Sequence, residues 1–157
     1  MTSNKDYLDK TFECALQSLN VVNGLTINAD PLEHCIKCDY KLQGGQNANV
    51  VLSVQVAANV YQVKYDFPVP KLSEKDMKYI LKRINEPLKS NFKFKVANGV
   101  LHLCILEHYP NTSVKPTKIR REVSTNVYQT KIFGEAVLSF FKGEISYGEY
   151  VKKVTFR

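Results

Sequence analysis

No stretch of this 157-residue chain approaches the ~18 consecutive apolar residues of a membrane-spanning helix. The opening MTSNKDYLDK lacks the apolar core of a secretory signal, so a cytoplasmic protein is the expectation. Histidine is scarce, at His34, His102 and His108, and the cysteines are Cys14, Cys35, Cys38 and Cys104. A chain this long and this apolar needs no disulfide staples, so the thiols read as reduced and buried. Gly44-Gly45 lacks the lysine and following helix of a phosphate-cradling loop. Nor does the chain carry a nucleophile elbow, or an acid in an apolar run that would raise its pKa. With no catalytic residue to assign, the expectation is a protein that is not an enzyme and uses no cofactor or metal.

What the chain does hold is an ordinary globular composition. Hydrophobic residues make up 44% and charged residues 24%, which sets it apart from disordered chains. No repeat, low-complexity tract or linker divides it, so one α+β domain spanning 1–157 is expected. A formal charge of +7 permits attraction to nucleic acid, an anionic membrane or an acidic protein. The lysines are scattered, and the clearest basic cluster is Lys115, Lys118, Arg120 and Arg121.

Periodicity supplies the elements. Ser3 followed by Asp6 reads as a helix cap, and Leu8, Phe12, Ala15, Leu16 and Leu19 predict a helix over 4–20, ended by Asn23-Gly24. Alternation then predicts three strands joined by short turns. In the first, Leu32, His34, Ile36, Cys38, Tyr40 and Leu42 face inward. In the second, Val50, Leu52, Val54 and Val56 oppose Val51, Ser53, Gln55 and Ala57. A turn at Ala58-Asn59 leads to the third, where Tyr61, Val63, Tyr65 and Phe67 oppose Gln62, Lys64 and Asp66. Pro68 and Pro70 close this meander.

A helix opened by Ser73 carries Met77, Ile80, Leu81, Ile84 and Leu88, and Pro87 ends it near Glu86. Asn98-Gly99 between alternating runs predicts a type I′ hairpin that pairs Phe92 with Ile105, Phe94 with Leu103 and Val96 with Leu101. From Thr117 a long helix shows Ile119, Val123, Val127, Phe133, Val137, Phe140 and Phe141, interrupted by Gly134 and capped by Gly143. Ser146 to Glu149 is a candidate start for one more short helix bearing Tyr150 and Val154.

The stretch EHCIKCDY offers a Cys-x-x-Cys beside His34. Residues three apart on a strand point to opposite faces, so Cys35 turns to solvent and Cys38 inward, and the pair cannot grip one tetrahedral zinc. His102, Cys104 and His108 share a strand face, but no carboxylate-and-histidine set completes a metal shell. The basic-aromatic Phe92-Lys-Phe-Lys reads as core rather than a base-stacking platform, because its phenylalanines share the face of Leu101, Leu103 and Ile105.

The expected architecture is α+β: a five-stranded antiparallel sheet with helices packed on it, in the order α-β-β-β-α-β-β-α. SEKDMKYILKRINEPLKS followed at once by FKFKVANGVLHLCILEH, and a last helix ending FFKGEIS, give the chain this pattern. It resembles the fold shared by type III secretion chaperones and the YbjN-type chaperone-like family. That resemblance implies a non-catalytic protein, often a homodimer, that binds an extended stretch of another protein. On physical grounds such a sheet leaves one face or an edge for a partner strand, and the outward apolar residues Val51, Val100 and Leu106 are the candidate contacts. The alternative is nucleic-acid binding through Lys115, Lys118, Arg120 and Arg121 at the positive start of the last helix.

Overall fold

A computed structural model describes residues 3–109 and 115–155. Helix α1 (Asn4–Asn20) starts where the Ser3 side chain accepts a hydrogen bond from the Asp6 N–H at 3.1 Å. Then come β1 (Thr26–Asp30), β2 (Cys35–Lys41), β3 (Asn47–Gln55) and β4 (Ala58–Tyr65). Helix α2 (Glu74–Asn85) repeats the α1 start, with Ser73 accepting from the Asp76 N–H at 3.1 Å. The chain continues with β5 (Phe92–Ala97), β6 (Val100–His108), α3 (Pro116–Phe141) and α4 (Tyr147–Thr155). All strands pair antiparallel in one sheet, in the spatial order β1-β2-β3-β4-β6-β5.

The α+β class and the antiparallel sheet agree with the expectation, but the sheet has six strands, not five. The element order is α-β-β-β-β-α-β-β-α-α. The added strand is TINAD, whose Ile27 and Ala29 are only half-buried at the sheet edge. Asparagine and aspartate are poor strand formers, so its alternation carries little signal. The other change of order is α4, a separate helix that seats Tyr150 and Val154 fully in the core.

Two boundaries also move. Leu32 does not face the core but lies 90% exposed, because a turn separates β1 from β2. The Asp30 carboxylate accepts from the N–H groups of Leu32 and Glu33 at 3.1 and 3.3 Å, and His34 takes a positive φ of 51°. The turn after β3 falls at Val56-Ala57, not Ala58-Asn59, with Ala57 at φ 59°. Val56 is therefore exposed while Asn59 occupies a fully buried inward position. There its amide nitrogen donates to the Tyr109 hydroxyl at 3.1 Å, while its Oδ1 is buried without a hydrogen-bond partner.

The β5–β6 hairpin has the expected register, Phe92 to Ile105, Phe94 to Leu103 and Val96 to Leu101. Asn98 and Gly99 take φ values of 54° and 74°, the double positive φ that a type I′ turn requires.

One face of the sheet holds the core. Ile36, Cys38, Val50, Leu52, Tyr61, Val63, Tyr65, Phe94, Leu101, Leu103 and Ile105 are buried there against α1, α3 and α4. Helix α3 comes closest at Gly134, where the Tyr65 ring lies against the helix backbone. The Tyr65 hydroxyl donates to the Thr130 carbonyl at 2.6 Å. Thr130 Oγ1 donates to the Val127 carbonyl at 2.6 Å, so the Tyr40 hydroxyl, 2.5 Å away, is the donor in its contact with Thr130. At the other side, Tyr150 and Tyr147 of α4 donate to the α2 carbonyls of Ile84 and Arg83 at 2.7 and 2.8 Å.

Helix α2 guards the β5 edge. The Asn85 side chain accepts from the Phe94 N–H at 2.6 Å and donates to the Phe94 carbonyl at 2.9 Å, as a neighbouring strand would. Two backbone groups that invite edge-to-edge pairing are thereby occupied.

Candidate functional site

Among the described residues every helix lies on the core side or at the β5 edge, and none packs on the opposite face of the sheet. Its residues from Cys35 to Leu106 are all exposed or half-buried along β2, β3, β5 and β6, and so are Val60, Gln62 and Lys64 of β4. The registers arrange these residues in rows across the strands.

One row joins Cys35, Ser53, Val60 and Leu106. The next joins Lys37, Val51, Gln62, Cys104 and Lys93. The third joins Asp39, Asn49, Lys64, His102 and Lys95. Val51 and Leu106, singled out from the sequence, thus share one half-buried apolar strip, and Val60 and Cys104 complete it. Val100 lies on the same face but at the far end, beside the Asn98-Gly99 turn and apart from the strip. Val60 opens the third expected strand, but its place beside Leu106 depends on the β4–β6 pairing.

The third row sets basic side chains next to one another. Lys64 stands directly opposite His102, and His102 directly opposite Lys95. Adjacent strands are about 4.8 Å apart, so three basic groups fall within ~10 Å. Burial, first, and then the charges of Lys95 and Lys64 hold the His102 imidazole below its ordinary pKa of 6.5. Among the described residues no carboxylate forms an ion pair with Lys64, Lys93 or Lys95. The acids of the face, Asp30 and Asp39, sit on β1 and β2, and Asp66 follows the end of β4.

The thiols separate as their spacing requires. Cys35 is half-buried on the open face, while Cys38 is fully buried, and burial pushes its thiol up to about 12. Such a thiol is a poor nucleophile and a poor metal ligand at neutral pH. His34 is held elsewhere, its Nε2 at 2.8 Å from Asp9 and its ring edge-on to Phe12. Among the described residues no group of three or more His, Cys, Asp or Glu could hold a metal ion.

In the basic cluster at the start of α3, Lys115, Lys118 and Arg121 are exposed and Arg120 is half-buried. Lys115 is the N-cap, Lys118 pairs with Glu122 at 3.8 Å, and Arg120 turns toward α1, its guanidinium 3.4 Å from Gln17. Arg121 instead lines a cavity of about 590 Å³ between the α3 start and the β5–β6 end, together with Glu107, Glu122 and Asn126. Within it Glu107 accepts from Asn126 at 3.1 Å and Asn91 at 3.4 Å. Mixed charge of this kind gives no continuous track for a phosphate backbone.

Compared with models of known protein families and with curated proteins, the chain matches none. Among the described residues no helix is long and apolar enough to cross a membrane.

Proposed function

We propose that the protein is a non-enzymatic, chaperone-like binding module that holds a stretch of a partner polypeptide on its open sheet face. The observation that carries this reading is the strip of Val51, Val60, Cys104 and Leu106 at the centre of a face without helices. An antiparallel sheet is stable with one face solvated, and apolar residues clustered there suit side chains of an extended or amphipathic partner. The β5 edge is a less suitable strand acceptor, because Asn85 occupies its Phe94 backbone groups. Nucleic-acid binding by Lys115, Lys118, Arg120 and Arg121 has weaker support, since Arg120 turns to Gln17 and Lys118 and Arg121 lie beside the acid Glu122.

Peptides selected from an unbiased displayed library test the proposal. Val60→Asp and Leu106→Asp, each checked for folding by circular dichroism, are expected to weaken binding at least about tenfold, the scale of one interface anchor. Tyr128→Asp on the exposed helix side should change nothing. Failure to select any binder, or binders indifferent to both substitutions, contradicts the proposal.

A further inference from the structure

Given that docking face, we propose that its partner segment is acidic, with carboxylates over Lys64, His102 and Lys95 and apolar side chains over Val60 and Leu106. Like charges close together on a sheet repel, and this row sets Lys64 and Lys95 on either side of His102, about 10 Å apart, where a negative group is favoured. Three helix lysines pair with an acid of their own helix, Lys5 with Asp9, Lys78 with Glu74 and Lys118 with Glu122. Lys64 and Lys95 have no such partner among the described residues, and each stands directly opposite His102. A ligand carboxylate relieves that repulsion.

The spacing also selects an extended polypeptide. From Val60 to Lys64, and from Leu106 to His102, the face runs four residues along a strand, about 13 Å. An extended segment laid along β4 and β6 repeats that spacing. An apolar side chain over Val60 and Leu106 therefore places an acid four residues later over the basic row. Single-stranded nucleic acid fits less well, because stacking needs aromatic rings or arginines, and His102 is the only ring among the residues of these rows. A second copy meets the same row with its own lysines, on a chain of net charge +7.

The test uses fluorescence anisotropy with a peptide carrying valines and then glutamates at alternate positions, separated by serines. Its controls are the same peptide with glutamine for glutamate and an oligothymidylate of equal length. At low salt the glutamate peptide is expected to bind about tenfold more tightly than the glutamine peptide. The Lys64→Gln/Lys95→Gln double variant should erase that difference and leave the glutamine peptide unaffected. Equal binding of both peptides at the open face overturns the acidic preference while the docking face stands. If neither binds there, docking and preference fall together. Tighter binding of oligothymidylate through the same lysines overturns the inference in favour of nucleic acid.

Discussion

Replacing Gly134 with alanine sets two effects of opposite sign against each other. Alanine is about 1 kcal/mol better than glycine in a helix interior, so propensity alone predicts a more stable protein. The added methyl, however, meets the Tyr65 ring: Cδ1 and Cζ stand only 2.9 Å from the new Cβ, and Cε1 is closer still. Tyr65 cannot swing away cheaply, because it is fully buried and its hydroxyl is bound to the Thr130 carbonyl at 2.6 Å. Overpacking of this kind costs about 1–3 kcal/mol, and disturbing the hydroxyl bond adds ~1 kcal/mol. The steric cost wins, and Gly134→Ala is expected to lose about 1–3 kcal/mol net. Urea denaturation followed by circular dichroism measures it. Gly148→Ala is the control: nothing lies within 3.9 Å of its new Cβ, so propensity acts alone and the change is neutral or stabilising. A Gly134→Ala protein as stable as the parent refutes the account of how α3 meets the sheet.

Phe94→Ala should cost about 3–5 kcal/mol by emptying a fully lined core position, whereas Lys95→Ala should be neutral or slightly stabilising because it relieves the basic row. Equal losses in chemical denaturation contradict the hairpin register. Asn85→Ala removes both bonds to the Phe94 backbone, so a loss of about 1–3 kcal/mol and greater self-association by ultracentrifugation are expected. By NMR, His102 should titrate below 6.5, and Lys64→Gln or Lys95→Gln should move it upward. Its depressed folded pKa means the unfolded chain binds the proton first. The contribution of His102 to stability is thus present above pH 6.5 and lost as pH falls from there through the folded pKa. Titration at or above 6.5 contradicts the charge row.

Strong periodicity was legible wherever one face of an element is buried. Ser3 and Ser73 marked helix starts, and Asn98-Gly99 fixed a register that carried through Phe92 and Ile105. What the sequence hid depended on contacts between distant residues. TINAD is a strand because Asp30 and Cys35 align it on β2, not because its residues favour one. Asn59 reads as a turn residue until Tyr109 supplies its hydrogen bond. Gly134 reads as a weakness in α3 until Tyr65 is seen beneath it. The candidate surface was half legible for the same reason: Val51 and Leu106 follow from alternation, but joining them through Val60 needs the pairing of β4 with β6. The basic row was half legible: the hairpin register sets Lys95 opposite His102, but Lys64 joins them only through the β4–β6 pairing.

The most direct measurement for the open sheet face as the binding surface is an amide chemical-shift map of the isotope-labelled protein titrated with the glutamate-containing peptide. The account predicts that the largest changes fall on Val51, Val60, Gln62, Lys64, His102 and Leu106. Changes centred on α1, α3 and α4, or confined to the β1 edge, would contradict it.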